Sequence, residues 1–325
     1  MENYKPLLEL FNAHLNSYLK ELDKKQPREL YDPENYILSL GGKRIRPLLA
    51  LIGCDLFDKS PSYSLNAALS VELFHNFSLI HDDILDKAPL RRGMPTVHSK
   101  WNTDIAILSG DVMLVKAFDV LKNYEATKLS SLLSLFASTS IEVCEGQQMD
   151  MNFETQQNVS VNDYLQMITY KTAVLLGCSL KMGAICAEAD TENQNHLYEF
   201  GKHLGIAFQL MDDVLDAYAD DGKFGKQVGG DIIANKKTFL LLKAFELAEA
   251  SQKNNLTALL NEKDSTLKVK GVLNVYDQLN IKNISEKEAD IHTQEALKHL
   301  KAVTASESKK KELERLAMQL LNRQS

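Results

Sequence analysis

The sequence predicts an all-α protein, and three observations carry that expectation. Glycine and proline number 15 and 7 among 325 residues, a little over half of the roughly 12% they jointly average in globular chains. Apolar residues recur with a period near 3.6 along most of the chain. No run of alternating β-branched residues suggests a strand.

The elements follow in order. From Leu65 through Leu69, Val71, Leu73, Phe74, Phe77, Leu79, Ile80 and Ile84 the chain is apolar and free of breakers, too long for a strand, so it reads as a buried helix. Helical periodicity also marks 104–121, 129–149, 161–187, 194–218 and 236–250, and the final turns 309–321 are amphipathic. Between them, 251–308 is polar and lysine-rich, as expected of surface helices. Breakers gather at Gly41-Gly42, 89–95, 152–160 and 220–230. Helical signal resumes promptly after each, so these read as inter-helix loops, and one domain over 1–325 is the economical expectation. No repeat of 20–50 residues is visible.

Composition excludes several classes. With 44% hydrophobic and 25% charged residues the chain is globular rather than disordered. A net charge of −7 gives no reason to expect nucleic acid as a partner. The apolar stretches fall short of the ~20 residues a membrane span needs, and the first residues, MENYKPLLEL, do not read as a secretory signal, so a cytoplasmic protein is expected. Cys54, Cys144, Cys178 and Cys186 lack metal-ligand or redox spacing and are expected to be buried apolar thiols.

Function enters with a pentad that occurs twice, Asp82-Asp83-Ile84-Leu85-Asp86 and Asp212-Asp213-Val214-Leu215-Asp216. On a helix the first and fifth positions project about 40° apart, so Asp82 pairs with Asp86 and Asp212 with Asp216. Carboxylates crowded on apolar helices repel unless cations compensate, and the all-oxygen supply suits Mg2+ shared with a phosphate. One acidic cluster alone would read as a solvated helix face. Short basic groups marked by glycine complement the pentads: Gly41-Gly42-Lys43-Arg44-Ile45-Arg46-Pro47, Arg91-Arg92-Gly93, Lys226 after Gly222 and Gly225, and Lys236-Lys237-Thr238 after Gly229-Gly230. Guanidinium forks and glycine-exposed amides suit diphosphate.

In order, GGKRIRP at 41–47, His75, DDILD followed by RRG, Gly146-Gln147, Lys171-Thr172, Gln209 with DDVLD, and Lys226 with Lys236 resemble the motifs of the trans-isoprenyl diphosphate synthases, or polyprenyl synthetases. The resemblance implies a bundle of antiparallel helices around a central cavity, a homodimer, and two aspartate motifs facing each other across the cavity mouth. It implies an allylic diphosphate held through three Mg2+ ions by Asp82, Asp86 and Asp212, with Asp83, Asp213 and Asp216 in direct or water-mediated roles. Arg91, Lys171, Lys226 and Lys236 would contact that diphosphate, and Lys43, Arg46, His75 and Arg92 would hold isopentenyl diphosphate. Ionisation of the primer, attack by the isopentenyl double bond and loss of a proton would follow, with Lys171, Thr172 and Gln209 lining the space beside the cation. His81, beside Asp82, is expected either to be structural or to support the metal ligands from behind, and His98 and Trp101 are expected to be packing or capping residues.

Product length in the family is set by bulk upstream of the first motif. Phe77 and Phe74 stand five and eight residues before Asp82, about 7.5 and 12 Å along a helix, and the residue four before is the small Ser78. This pattern resembles synthases that stop at 20 carbons, with a 15-carbon farnesyl product as the alternative. A terpene cyclase or a non-catalytic regulatory subunit fits less well, because the isopentenyl motifs and both pentads are intact. Two departures from the family pattern are Asn235, where glycine is common, and the absence of a proline after Thr238.

Overall fold

The computed structural model describes residues 2–218 and 229–322. Helices dominate: α1 (Lys5–Leu22), α2 (Arg28–Ser39), α3 (Ile45–Asp55), α4 (Leu65–Leu85), α5 (Val97–Lys100), α6 (Thr103–Asp119), α7 (Ala126–Thr155) and α8 (Val161–Ile168) come first. They are followed by α9 (Val174–Cys186), α10 (Thr191–Tyr218), α11 (Gly230–Ile233), α12 (Phe239–Leu247), α13 (Ala250–Leu260), α14 (Ser265–Gln278), α15 (Ile281–Ala302) and α16 (Glu307–Leu321). The all-α expectation holds, with one small exception. Among the described residues the strands are β1 (Leu90–Arg91) and β2 (Met94–Pro95), an antiparallel ribbon turned by Arg92 and Gly93 at φ 53° and 76°. Two consecutive positive φ values define the tight hairpin turn that an Xaa-Gly pair favours.

The chain folds into two compact units. The first comprises Met1–Ser140, Cys178–Tyr198 and Val303–Glu312, the second Ile141–Gly177, Glu199–Ala302 and Leu313–Ser325. In the first, α4 is buried on nearly every face, with Phe74 fully covered and packed edge-on against Phe136 at 5.5 Å. Burial all round explains why this stretch is apolar without an amphipathic stripe. The core of the second gathers Val214, Ile232, Leu240, Leu241, Leu256, Val272 and Tyr276.

Local chemistry sets several boundaries differently from the sequence pattern. Helix α7 runs to Thr155, past the expected break at 152, because Gln148 donates to Asn152 Oδ1 at 2.8 Å and the Lys237 ammonium caps the carbonyls of Phe153 and Gln156. The span expected as one helix over 161–187 is interrupted by a π-helical turn at Thr169–Ala173. Helix α12 begins at Phe239 rather than 236, since Lys236 N–H returns to Asp231 O at 2.9 Å and closes α11 first. Asn235, which replaces a common glycine, adopts φ 55°. Asparagine is among the few residues that tolerate that conformation. Cys54, Cys178 and Cys186 are buried as expected, but Cys144 is exposed. It shares the outward face of α7 with Ile141, Glu145 and Gln148, at helical spacing.

Within the first unit, glycines let α3 and α9 touch backbone to backbone. A Cβ on Gly53 would run into the Leu180 carbonyl, and one on Gly183 into the Ala50 carbonyl. Gly183→Ala should therefore destabilise the protein by about 1–3 kcal/mol, an overpacking cost. An earlier urea midpoint at unchanged slope is the expected reading; an unchanged or later midpoint would refute the close approach.

Candidate active site

In the first unit the basic loop 41–47 lies against α4. Gly41 and Gly42 take φ 79° and 131° and Arg44 φ 50°, which turns the chain sharply into α3. The Arg44 guanidinium is then buried, donating to the Glu72 carboxylate and the Leu38 carbonyl, while Asn76 Nδ2 donates to the same Glu72 at 2.9 Å. Of the three cations on this loop, Arg44 is thus a fixed strut and not a flexible ligand. Arg46 Nη1 lies 3.2 Å from His75 Nε2, which pairs an obligate donor with an unprotonated ring nitrogen. Lys43 is exposed.

The ribbon after α4 brings the second basic pair to the same place. Arg92 donates to the Gly41 carbonyl, and its guanidinium fills the space a Cβ on Gly42 would need. His75 consequently feels Arg46, Arg92, Arg91 and Arg44 together. Burial first, then these four cations, holds its pKa well below the ordinary histidine value. A neutral imidazole among arginines is an environment prepared for an anion.

Each aspartate pentad divides in the same way. In the first, Asp83 is 1% exposed and takes a fork from Arg91, whose Nε donates to Oδ1 at 3.0 Å and Oδ2 at 2.8 Å and whose Nη2 donates to Oδ1 at 2.7 Å. Asp86, the C-terminal cap of α4, is exposed, and Asp82, one turn earlier on the helix, is half-buried. In the second, Asp213 is 3% exposed, accepting from the Tyr164 hydroxyl and, at 3.2 Å, from Gln209 Nε2. Burial pushes Asp213 up to about 7, partly offset by the Tyr164 hydrogen bond. Asp212 and Asp216 are half-buried on the neighbouring face of α10, and Asp216 Oδ2 accepts the Asp231 N–H at 2.9 Å. The outward pairs are all-oxygen donor sets at helical spacing, which fits Mg2+ and not a soft metal.

The remaining sequence-predicted residues of the second unit converge on the π-helical turn. Lys171 pairs with Asp150 at 2.5 Å, and Thr172 Oγ1 donates to Gln209 Oε1 at 3.4 Å, linking the turn through Gln209 to Asp213. Gly146 explains itself here: a Cβ would strike the Lys171 backbone. Lys236 is exposed, 3.8 Å from Asp231, whereas Lys237 is committed to capping α7. Lys226 lies outside the described residues. Phe74 and Phe77 pack at 5.5 Å, Phe77 meets His81 at 4.7 Å, and Ser78 donates to the His75 carbonyl at 2.9 Å. His81 wedges over Gly110, and Trp101 packs edge-on against Tyr36 at 5.3 Å, as expected of a packing residue. Sequence reasoning missed Glu72, Tyr164 and Asp150, the partners of the basic loop, of Asp213 and of Lys171. Only Glu72, one turn before Asn76 and three residues before His75 on a buried helix, carried a signal: a carboxylate there demands a cation.

Residues 27–278 match the polyprenyl synthetase family. The chain belongs to that family. Across 238 residues it is 40% identical to the geranylgeranyl diphosphate synthase of Methanosarcina mazei, covering 72% of this chain and 74% of that one. The crystal structure of geranylgeranyl pyrophosphate synthetase from Pyrococcus horikoshii superposes with a TM-score of 0.92 at 34% identity, over 99% of this chain and 98% of the other. That of geranylgeranyl pyrophosphate synthase from Corynebacterium glutamicum, complexed with isoprenyl diphosphate and magnesium, has a TM-score of 0.85 at 28% identity, over 97% and 98% of the two chains. This polyprenyl synthetase is a prenyltransferase with an all-α isoprenoid synthase fold.

Two predictions follow from the site's charges. Arg91→Ala strands a buried Asp83 carboxylate and should cost about 3–5 kcal/mol of stability, whereas exposed Arg92→Ala should stay within about 1 kcal/mol of the parent; equal losses in urea unfolding would refute a structural role for the Arg91–Asp83 pair. His75 has a folded pKa below its unfolded one, so its contribution to stability is present above the ordinary histidine pKa of about 6.5 and is lost as pH falls below it. In His75→Gln, whose amide oxygen can accept from Arg46, stability should decline less steeply between pH 7 and 5; an unchanged slope counts against the neutral imidazole.

Proposed function

We propose that this polyprenyl synthetase, acting as a cytoplasmic homodimer and one catalytic domain over 1–325, condenses isopentenyl diphosphate with allylic diphosphates and releases a 20-carbon geranylgeranyl product. The single observation that carries the reading is the split within each pentad, with the second carboxylate held inward by the protein and the first and fifth turned outward on one helix face. The named relatives support the choice of product.

Asp82 and Asp86 on α4 and Asp212 and Asp216 on α10 hold Mg2+, with three ions per site as the family resemblance implies. Bound there, magnesium supplies positive charge to the departing diphosphate. Asp83 and Asp213 take positioning roles, since their oxygens already accept from Arg91, and from Tyr164 and Gln209. Lys236 and Lys226 grip the allylic diphosphate, Lys171 joins them by leaving Asp150, and Arg91 offers the guanidinium nitrogen not engaged with Asp83. Lys43, Arg46, His75 and Arg92 receive isopentenyl diphosphate, whose charge satisfies the cationic field around the neutral imidazole. Thr172 and Gln209 present oxygen dipoles to the allylic cation without a nucleophile to trap it. After the isopentenyl double bond attacks, a proton is lost and the chain is one isoprene unit longer.

Phe77 and the fully buried Phe74 behind it form the floor that stops growth, with small Ser78 on the adjacent position. Support for the homodimer comes from α6, which leaves Ile107, Leu108 and Val115 exposed. Among the described residues no helix is long and apolar enough to cross a membrane.

Purified protein with Mg2+, isopentenyl diphosphate and dimethylallyl, geranyl or farnesyl diphosphate should give elongated products, mainly of 20 carbons by chromatography. Absence of turnover with every primer would overturn the activity, and a 15-carbon end product would select the farnesyl alternative. Phe77→Ala should shift the distribution to longer chains; an unchanged distribution removes Phe77 from the floor.

A further inference from the structure

Three of the chain's eight histidines meet outside the residue set proposed for turnover. On α10, Glu199 and His203 stand four residues apart, and on α15 the pairs Glu288/His292 and Glu295/His299 repeat that spacing with a seven-residue offset. Residues four or seven apart share a helix face, so each helix presents its carboxylates and imidazoles as a stripe. All six residues belong to the second unit. There, His203 Nδ1 lies 2.9 Å from His292 Nδ1, and the His203 and His299 rings stack with centroids 6.0 Å apart and planes at 15°. One ligand atom from each of Glu199, His203 and His299 falls within 4.8 Å of the others.

We propose that Glu199, His203 and His299 form a binding site for a divalent transition metal of the Zn2+ class, with His292 as the positioning residue for His203. Two imidazoles and one carboxylate are a donor set for borderline metals such as Zn2+ or Co2+, and a poor one for Mg2+, which prefers oxygen. The Nδ1 to Nδ1 contact requires one ring to donate and the other to accept. When His203 donates, its Nε2 carries the lone pair, and that atom is the one 3.9 Å from Glu199 Oε2. A ligating histidine whose second nitrogen is held by a hydrogen-bond partner is the usual architecture of such sites.

The approach to an ion is small. At about 2.1 Å from each ligand, tetrahedral geometry sets ligand atoms about 3.4 Å apart, so a cluster spanning 4.8 Å closes by side-chain rotation. Water can complete the shell, because the His203 and Glu199 side chains retain 20% and 32% exposure. The ion must compete with the Lys202 ammonium, which pairs with Glu199 at 2.5 Å, and a doubly charged ion replacing a single charge favours that exchange. Glu288, 3.9 Å from His292 Nε2, and Glu295, paired with Lys298 at 2.9 Å, flank the site with further negative charge. Bound metal would clip α10 to α15, nine residues ahead of Asp212 and about 13 Å from it along the helix. The inference stands on this cluster alone and does not depend on the prenyltransferase reading.

The test is a Co2+ titration of chelator-stripped full-length protein in excess Mg2+, followed by visible absorption, with thermal unfolding measured in parallel with and without Zn2+. One equivalent of Co2+ should develop d–d bands, and Zn2+ should raise the unfolding midpoint. His203→Gln and His299→Gln should each abolish the bands and the midpoint shift while helical circular dichroism is kept, and Asp82→Ala should preserve both. His292→Gln should weaken Co2+ binding by about 10–100-fold, the usual effect of losing a ligand's hydrogen-bond partner. Absence of bands in the parent, bands that survive both histidine variants, or bands lost in Asp82→Ala would each overturn the site.

Discussion

Burial of one carboxylate per pentad is the constraint on which the arrangement of both acidic helices depends. A desolvated carboxylate must be paired or neutralised, and the two units meet that requirement differently. Arg91 reaches back from the ribbon to fork Asp83, which fixes the hairpin against the end of α4. Asp213 instead accepts two neutral donors, Tyr164 and Gln209, and its pKa rises to about 7. In both cases the inward residue sets the rotation of the helix. Once position two is buried, positions one and five fall together about 100° and 60° round the helix from it, on the flank of the buried face.

The basic side is organised by the same logic one step earlier in the chain. Glu72 lies inside α4 and recruits Arg44, and that pairing forces the positive-φ turn through which Gly41 and Gly42 present their backbone. Arg92 then settles on Gly41, and Arg46 on His75. Under the proposed function, an anion entering there would meet donors already oriented, which leaves little ordering cost for the binding step.

Periodicity made the helices legible because burial on α4 and α10 dominates every competing preference. Boundaries were less legible where a distant side chain decided them: nothing near 152 announces that Lys237 will cap α7, and nothing in 161–187 announces the π-helical turn whose Lys171 backbone lies against Gly146 of α7. The site motifs were visible as composition, yet their internal division was not. Asp83 and Asp82 are adjacent and chemically identical, and only the three-dimensional position of Arg91 distinguishes them. Cys144 failed for a related reason, since an apolar residue type on an outward helix face carries no local mark of its exposure.

The adjacent cations follow a common pattern that reconciles a net charge of −7 with the proposed anion site. Lys43 is exposed beside buried Arg44, Arg92 is exposed beside the paired Arg91, and Lys236 is exposed beside the capping Lys237. Arg44, Arg91 and Lys237 are each committed to the fold, and the exposed neighbour is carried on the segment thus fixed, Arg92 being tied in turn to the Gly41 carbonyl. Replacing the structural member therefore displaces the outward one as well, so substitutions within a doublet are coupled rather than additive.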